Sequence, residues 1–230
     1  MKLSIVIPVY NEEKTIDRII KEVEAVNISF DKEIILVDDG SRDRSRNILN
    51  TYAGRYKVLF QDHNQGKGAA LRRGFAEATG YIVLVQDADL EYKPEDYPAL
   101  IRPIVEGQAD VVYGSRFIGS SASQNIVIYR HGYLFSRVLN GLSNFLSGVK
   151  LSDMYTCYKV FSREAIKKIY PMLISNRFGF DPEITALIAR EKLRIAEVPI
   201  SYKGRTYEEG KKINWKDGIA AIFHIIRFNL

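Results

Sequence analysis

The stretch that decides the fold is Tyr81-Ile82-Val83-Leu84-Val85-Gln86-Asp87-Ala88-Asp89-Leu90-Glu91. Its four consecutive aliphatic residues are typical of a strand that is buried on both faces. Acidic residues follow at once, and in extended chain residues i and i+2 point to the same side. We therefore expect Asp87, Asp89 and Glu91 to converge at the carboxyl end of a central strand, the edge where open α/β sheets bind ligands.

Three clustered carboxylates favour a bound cation, because they repel one another unless a positive charge lies between them. Carboxylate oxygens suit Mg²⁺ or Mn²⁺, and these ions usually also bind the phosphates of a substrate. A solvated acidic turn after a strand is the alternative interpretation. This segment alone does not decide between the two.

Strands and helices alternate along the chain up to about residue 116. Apolar runs at 3–10, 33–37 and 56–60 predict three further strands, with residues at helical spacing between them. Such alternation with short connections specifies an α/β fold, with a mostly parallel central sheet and helices on both faces. After the first strand we expect Asn11 to act as a helix N-cap.

The regular alternation of predicted strands and helices ends at about residue 116. An amphipathic helix is predicted at 129–146, a strand region at 152–161 and a short edge strand at 197–202. A loop rich in Gly, Lys and Arg follows at 204–212. The chain closes on an amphipathic helix at 213–230, which is a core element, a subunit interface or a membrane-facing surface.

Composition narrows the possible classes of protein. The 230 residues fit one α/β domain, and a net charge of +5 with no dominant basic run or reader motif argues against nucleic acid as a partner. A single cysteine, Cys157, excludes an internal disulfide and fits a reducing compartment. With no signal peptide and no apolar run long enough to cross a bilayer, we expect a soluble or at most peripheral protein.

Several short motifs, in order along almost the whole chain, resemble those of glycosyltransferase family 2, and within it the polyprenyl-phosphate hexose synthases. The motifs are Ile7-Pro8-Val9-Tyr10-Asn11-Glu12, Val37-Asp38-Asp39-Gly40-Ser41, Asn64-Gln65-Gly66-Lys67-Gly68, Asp87-Ala88-Asp89, Gly114-Ser115-Arg116 and the tail from Gly204-Arg205 to Lys211.

The resemblance implies a GT-A fold and a single glycosyltransferase domain over residues 1–230. Its nucleotide-sugar-binding part would cover 1–116, and its acceptor-binding part and mobile loop 117–212. The C-terminal amphipathic helix would cover 213–230. Motif positions match donor-binding residues at Pro8, Tyr10, Glu12, Val37, Asp39, Asp87, Ala88, Asp89, Arg205 and Lys211.

The same resemblance implies a metal site and a catalytic set. Asp89 and Glu91 match ligands of Mg²⁺ or Mn²⁺, although Glu91 stands where the mannose synthases commonly carry Gln. Arg116 and Arg130 match arginines that bind phosphate in the family. Arginine suits this role because its planar guanidinium can bind phosphate with two hydrogen bonds. Asp153 matches a position that is a base in related processive enzymes. Here it acts as a base, orients the acceptor or a loop, or is a buried aspartate at a helix entry or strand turn.

The activity that the resemblance implies is an inverting, metal-dependent transfer of a hexose from a nucleotide-sugar, GDP-mannose or UDP-glucose, to a polyprenyl or dolichyl phosphate. One alternative is transfer to a soluble or glycan acceptor with Asp153 as base. Another is a non-catalytic nucleotide-sugar-binding subunit. We expect a protein at the cytoplasmic face of the membrane, with peripheral membrane contact, a membrane-subunit partner or a homodimer.

Overall fold

The computed structural model describes residues 1–119, 130–204 and 215–230. Within these residues a seven-stranded sheet has the order β3-β2-β1-β4-β6-β5-β7. The strands are β1 (Lys2–Val9), β2 (Asp31–Asp38), β3 (Lys57–Phe60), β4 (Ile82–Val85), β5 (Val111–Ser115), β6 (Lys159–Ser162) and β7 (Ile195–Pro199).

Helices connect the strands and pack against the sheet. Among them, the third contacts β1 and β2, and the fourth contacts β5, β6 and β7. The helices are α1 (Ile16–Ala25), α2 (Ser45–Asn50), α3 (Lys67–Glu77), α4 (Tyr97–Val105), α5 (Arg130–Ser147), α6 (Arg163–Ile169), α7 (Phe180–Arg190) and α8 (Trp215–Asn229), with 3₁₀ turns at Pro94–Asp96 and Tyr170–Met172.

The prediction of a mostly parallel sheet is confirmed. Strand β1 pairs in parallel with β2 and β4, β2 with β3, and β5 with β7. Strand β6 alone is antiparallel, and it lies between β4 and β5. Because Val9 pairs with Asp38 and Val6 with Val85, β1, β2 and β4 end at one edge of the sheet. All four residues of β4 are buried, as its uninterrupted aliphatic sequence predicts.

The predicted helix start at Asn11 is wrong. Helix α1 begins at Ile16, after Thr15, and Asn11 has a left-handed φ of 53°. Its side-chain oxygen accepts a hydrogen bond of 2.8 Å from the amide of Arg42. The polar residues after β1 therefore tie this loop to the loop after β2 instead of capping a helix, which leaves Tyr10 and Glu12 on a turn at the sheet edge.

The strand predicted over 152–161 is shorter in the structure, where β6 begins at Lys159. Side chains take the backbone hydrogen bonds of the preceding segment. Glu197 accepts from the amides of Ser152 and Asp153, and Asn140 accepts from the amide of Met154. Since these amides are satisfied without a ladder, the segment forms a loop that carries Asp153 to the site.

The C-terminal helix spans Trp215–Asn229, close to the predicted 213–230. It packs against α5 and α7, and Leu139, Met154, Ala221 and Ile225 form a small buried cluster beside the main core. One side of this helix is therefore a core element. Strand β7, predicted as an edge strand at 197–202, lies at the edge of the sheet over 195–199.

Candidate active site

The carboxylate of Asp39, at the end of β2, is buried and fully engaged by the protein. It accepts hydrogen bonds from the side chains of Gln61 and Asn64, at 2.6 and 2.7 Å, and from the amides of Gln65 and Gly66, at 2.7 and 2.8 Å. Burial raises the pKa of Asp39, while the two amide hydrogen bonds oppose that rise. Asp39 therefore fixes the loop that leads into α3.

Asp87, the first carboxylate after β4, is held by Lys67, the first residue of α3. Its oxygens lie 2.6 and 2.8 Å from Nζ of Lys67. Burial by itself would lower the pKa of Lys67, but the charge of Asp87 outweighs it and the pKa is raised. The Asp87 amide lies 3.0 Å from Sγ of the buried Cys157. The start of the acidic turn is thus fixed from two sides.

The expectation that Asp87, Asp89 and Glu91 converge is not met. Strand β4 ends at Val85, and Leu90 has a left-handed φ of 62°, so the segment is a turn and the alternation of an extended strand does not apply. Asp89 Oδ1 accepts from the amide of Glu91 at 3.2 Å. Within residues 1–119, 130–204 and 215–230, no group of three or more His, Cys, Asp or Glu residues is arranged to hold a metal.

Arg116, just after β5, forms a two-pronged ion pair with Asp153. Its Nε and one terminal nitrogen lie 2.7 and 2.8 Å from the two carboxylate oxygens, and its amide also donates to Asp153 at 3.1 Å. Burial by itself would lower the pKa of Arg116, but Asp153 outweighs it and the pKa is raised. The fork that the resemblance assigns to a phosphate is thus already engaged, and the Asp153 carboxylate, 2% exposed, is too.

Tyr202 links the acidic turn to this ion pair. Its hydroxyl donates to Oε2 of Glu91 at 2.9 Å. The Arg116 guanidinium lies 5.1 Å from the centre of the Tyr202 ring, as a cation–π contact. A continuous path of hydrogen bonds, this cation–π contact and an ion pair therefore runs from Glu91 through Tyr202 and Arg116 to Asp153.

A buried polar and aromatic layer lies beneath the turn. Gln86 Oε1 accepts from the hydroxyls of Tyr97 and Tyr158, at 2.8 and 2.9 Å. The ring of Tyr92 packs edge-on against Tyr158, with centroids 5.2 Å apart. Burial raises the pKa of both Tyr97 and Tyr158, so these phenols stay neutral. A fully bonded network of this kind gives the acidic turn a rigid base.

The remaining predicted donor residues differ in how they present to a ligand. Pro8, Tyr10 and Glu12 are partly exposed at the end of β1. Val37 and Ala88 are buried, at 0% and 3% exposure, so direct side-chain contact with a donor is not available at Val37. The Arg130 side chain, Arg205 and Lys211 lie outside the described residues.

The sequence analysis assigned no role to two residues that lie at this edge of the sheet, Lys67 and Tyr202. Lys67 lies within the Asn64–Gly68 motif. A lysine at the start of the helix that leads into an acidic strand end is a signal that could have suggested its ion pair with Asp87. Tyr202 gave no such signal. It reaches Glu91 only because residues 201–203 run beside the acidic turn, as the Tyr92–Tyr202 bridge and the bond from the Lys203 amide to the Glu91 carbonyl show.

Comparison with known proteins identifies the family of this chain. The sequence profile described as Glycosyl transferase family 2 matches residues 4–170. The chain is 32% identical over 219 residues to a dolichyl-phosphate beta-glucosyltransferase of Trichomonas vaginalis, covering 87% of this chain and 65% of that protein. It is 28% identical over 213 residues to a dolichol-phosphate mannosyltransferase of Pyrococcus furiosus, covering 92% and 59%. The chain thus spans less than two thirds of the length of either relative.

The fold matches solved structures along the whole chain. A glucosyl-3-phosphoglycerate synthase of Mycobacterium tuberculosis, solved with Mn²⁺, uridine diphosphate and phosphoglyceric acid, superposes with a TM-score of 0.73. The identity is 22%, over 99% of this chain and 78% of that one. At this identity the likeness concerns the fold, and the predicted GT-A fold is confirmed.

Proposed function

The chain belongs to glycosyltransferase family 2, and we propose on that basis that it transfers a hexose, with inversion, from a nucleotide-sugar to a polyprenyl or dolichyl phosphate. The names of the Trichomonas vaginalis and Pyrococcus furiosus relatives support a lipid-phosphate acceptor. They leave UDP-glucose and GDP-mannose as the two donors to compare.

One observation carries the proposal: Asp89 and Glu91 are partly exposed at the sheet edge, and Tyr202 contacts Glu91 through its hydroxyl and Arg116 through its ring. Carboxylates that bind a donor's metal and a cation that binds an acceptor's phosphate would then lie on one connected path. That arrangement suits a reaction in which donor and acceptor must be held together.

The donor set fits a divalent metal. Mg²⁺ and Mn²⁺ sites in transferases often use one or two carboxylates, with substrate phosphates and water completing the shell. Asp89 and Glu91 would hold the ion with hard oxygen ligands. When bound, it would neutralise charge that develops on the departing nucleoside diphosphate. Lys67, which is paired with Asp87 at this edge, adds a second positive charge.

A phosphate acceptor would need fewer catalytic groups from the protein than a hydroxyl acceptor. A phosphate monoester is ionised at neutral pH, so no general base is needed for it to attack the sugar. Arg116 would orient the acceptor through its positive charge, since Asp153 already binds both prongs of its fork and would hold the guanidinium in place. Asp153 is in this proposal a positioning residue.

Transfer to a soluble or glycan acceptor remains the second candidate, since such a hydroxyl acceptor needs a base. The engagement of Asp153 by Arg116 favours the phosphate acceptor. Asp153→Asn separates the two. It should abolish turnover of a hydroxyl acceptor, whereas with a lipid phosphate it should only weaken acceptor binding.

The first experiment is a thermal-shift screen with GDP, UDP, GDP-mannose and UDP-glucose, each with Mn²⁺ and with EDTA, followed by turnover with a short-chain polyprenyl phosphate. We expect stabilisation by one of the two diphosphates, larger with Mn²⁺. Metal-enhanced binding without turnover would indicate the non-catalytic subunit. No stabilisation by either nucleotide would contradict the proposed activity.

We also propose that α5 and α8 contact the membrane at its cytoplasmic face. Val138 and Phe145, one heptad apart on α5, are 60% and 84% exposed. Phe223 on α8 and Leu230, which follows the end of α8, are 62% and 91% exposed. The two helices pack together, and the sequence of α5 contains no acidic residue. Among the described residues no helix is both long and apolar enough to span a bilayer.

Co-sedimentation with liposomes tests this surface. We expect wild type to pellet with anionic vesicles at low salt, and Phe145→Ser/Phe223→Ser to stay in the supernatant with an unchanged melting temperature. Equal recovery of both proteins in the pellet, or of neither, would remove the membrane contact from the proposal. A dimer or a membrane-subunit partner would then be examined by size-exclusion chromatography with light scattering.

A further inference from the structure

A basic cleft lies between the loop before α3, the segment before α7 and the last turns of α8. Its volume is about 580 Å³, within the range of small-molecule sites. None of the carboxylates of the acidic turn lines it. Among the described residues that line it, none is acidic and four carry cationic or titratable nitrogen-bearing side chains: His63, Arg177, His224 and Arg227.

The two arginines of this cleft, Arg177 and Arg227, form no salt bridge within the described part of the chain. Arg227 packs over the ring of Phe228, 5.3 Å from its centre, and its side chain makes no ion pair or hydrogen bond with residues 1–119, 130–204 or 215–230. Arg177 has only a longer-range interaction with Asp39, whose oxygens are already used by the loop. By contrast, Arg194 forms a two-pronged pair with Asp110.

Both walls of the cleft are fixed by buried carboxylates. On one side Glu183, 2% exposed, accepts hydrogen bonds from the amides of Ile174 and Ser175, at 2.7 and 2.8 Å. On the other side Asp39 fixes Asn64 and Gln65. Because these walls are held by other groups, a ligand would bind without having to order them, which favours affinity.

His224 contributes an unused hydrogen-bonding atom. Its Nδ1 is buried and has no partner among the described residues. The ring lies directly over Gly179, where an added Cβ would come within 2.9 Å of Nδ1 and Cε1. A buried polar atom without a partner is costly unless a ligand or water satisfies it.

We infer that this cleft binds a phosphate group, carried either by a soluble metabolite or by the headgroup of an anionic lipid. Unpaired guanidinium groups beside imidazoles form strong charge-assisted hydrogen bonds to phosphate oxygens. The lipid source has a structural basis, because Phe223 precedes His224 on α8 and is 62% exposed. The inference rests on the cleft and not on the proposed sugar transfer.

The test uses the full chain, with EDTA and without nucleotide-sugar, so that it does not depend on transfer. Inorganic pyrophosphate is titrated calorimetrically into wild type and into Arg177→Gln/Arg227→Gln. We expect the double variant to bind at least about tenfold more weakly, because two charge-assisted contacts are lost. Arg18→Gln/Arg190→Gln changes the net charge equally at arginines paired with Glu22 and Glu191, and should bind like wild type.

Gly179→Ala gives a charge-neutral check, since its methyl group would displace the His224 ring while the φ of −67° tolerates alanine. It should also weaken pyrophosphate binding. Vesicles with and without phosphatidic acid then identify the source of the phosphate. If wild type binds only the vesicles with phosphatidic acid and the double variant does not bind them, the ligand is a lipid headgroup. If wild type binds neither kind of vesicle, the ligand is a soluble metabolite. Wild-type affinity in the double variant, or loss of binding in Lys67→Met instead, would overturn the inference.

Discussion

Two acidic pairs follow two parallel strands of the same sheet, and they have different fates. Asp38, the last residue of β2, and Asp39 after it are buried, at 0% and 3% exposure, whereas Asp87 and Asp89 after β4 are partly exposed. Asp39 receives four hydrogen bonds from one loop. The first pair therefore organises the edge, whereas in the second pair Lys67 binds Asp87 and both carboxylates stay partly exposed.

This difference shows that a position at the carboxyl end of a parallel strand does not by itself define the role of a carboxylate. Both pairs lie where an open α/β sheet binds ligands. The number of donors that the surrounding chain directs at each carboxylate decides how much binding capacity is left. The following predictions test this contrast, from the largest expected effect to the smallest.

Asp89→Asn should reduce turnover by about 100- to 1,000-fold, because a charge that holds the leaving group's metal would be lost. The melting temperature should be close to that of wild type, since Asp89 is not part of the buried network. Turnover with Mn²⁺ and the donor chosen by the thermal-shift screen is the measurement. Asp62→Asn, at an exposed position, serves as the control. Unchanged metal-dependent turnover would remove Asp89 from the metal site.

Asp39→Ala should instead destabilise the fold by about 3 kcal/mol, because buried donors would lose their acceptor. For a chain of this size that corresponds to a melting temperature lower by roughly 6–12 °C. Chemical denaturation monitored by circular dichroism measures the change, with Asp62→Ala as the control. If Asp39→Ala lost nucleotide binding but kept wild-type stability, the structural role assigned to Asp39 would be incorrect.

Tyr202→Phe should raise the Mn²⁺ concentration needed for half-maximal turnover by about three- to tenfold, since one hydrogen bond to Glu91 is lost. The phenyl ring keeps its place over Arg116, so the KM for the acceptor should change little. Tyr202→Leu removes both contacts and should raise both quantities. Tyr81→Phe, at an exposed tyrosine, is the control. An equal change in both quantities for Tyr202→Phe would contradict a specific link to Glu91.

The smallest effect concerns pH and His224. Burial, followed by the charge of Arg227, lowers the pKa of His224 below its ordinary 6.5, while Glu183 opposes this shift, and His63 and Arg177 face the same cleft. Below about pH 6.5 the unfolded chain therefore binds more protons, and stability falls as the pH decreases. His224→Gln should flatten this decline in denaturation midpoints. His63→Gln should not, and an identical slope in wild type and His224→Gln would contradict the assignment.

The sequence predicted the sheet well, because uninterrupted aliphatic runs such as Ile82–Val85 are difficult to place anywhere but in a buried strand. It failed at Asn11 and at residues 152–158, where side chains from distant segments bind the backbone. The three-carboxylate cluster failed for the same reason. Leu90 adopts a left-handed conformation, and Lys67 and Tyr202 approach from other elements. Sequence periodicity contains no information about such long-range partners. The roles of the predicted site residues stay predictions.

Strand β6 has a consequence for how the chain can be made. Residues 159–162 occupy the interior of the sheet, between β4 and β5. During synthesis one edge of β4 therefore stays unpaired until that later segment has left the ribosome. Exposed strand edges can pair with strands of other molecules. A fragment truncated near residue 116 would keep the acidic turn but not the strand that closes it, and we expect such a fragment to aggregate rather than fold.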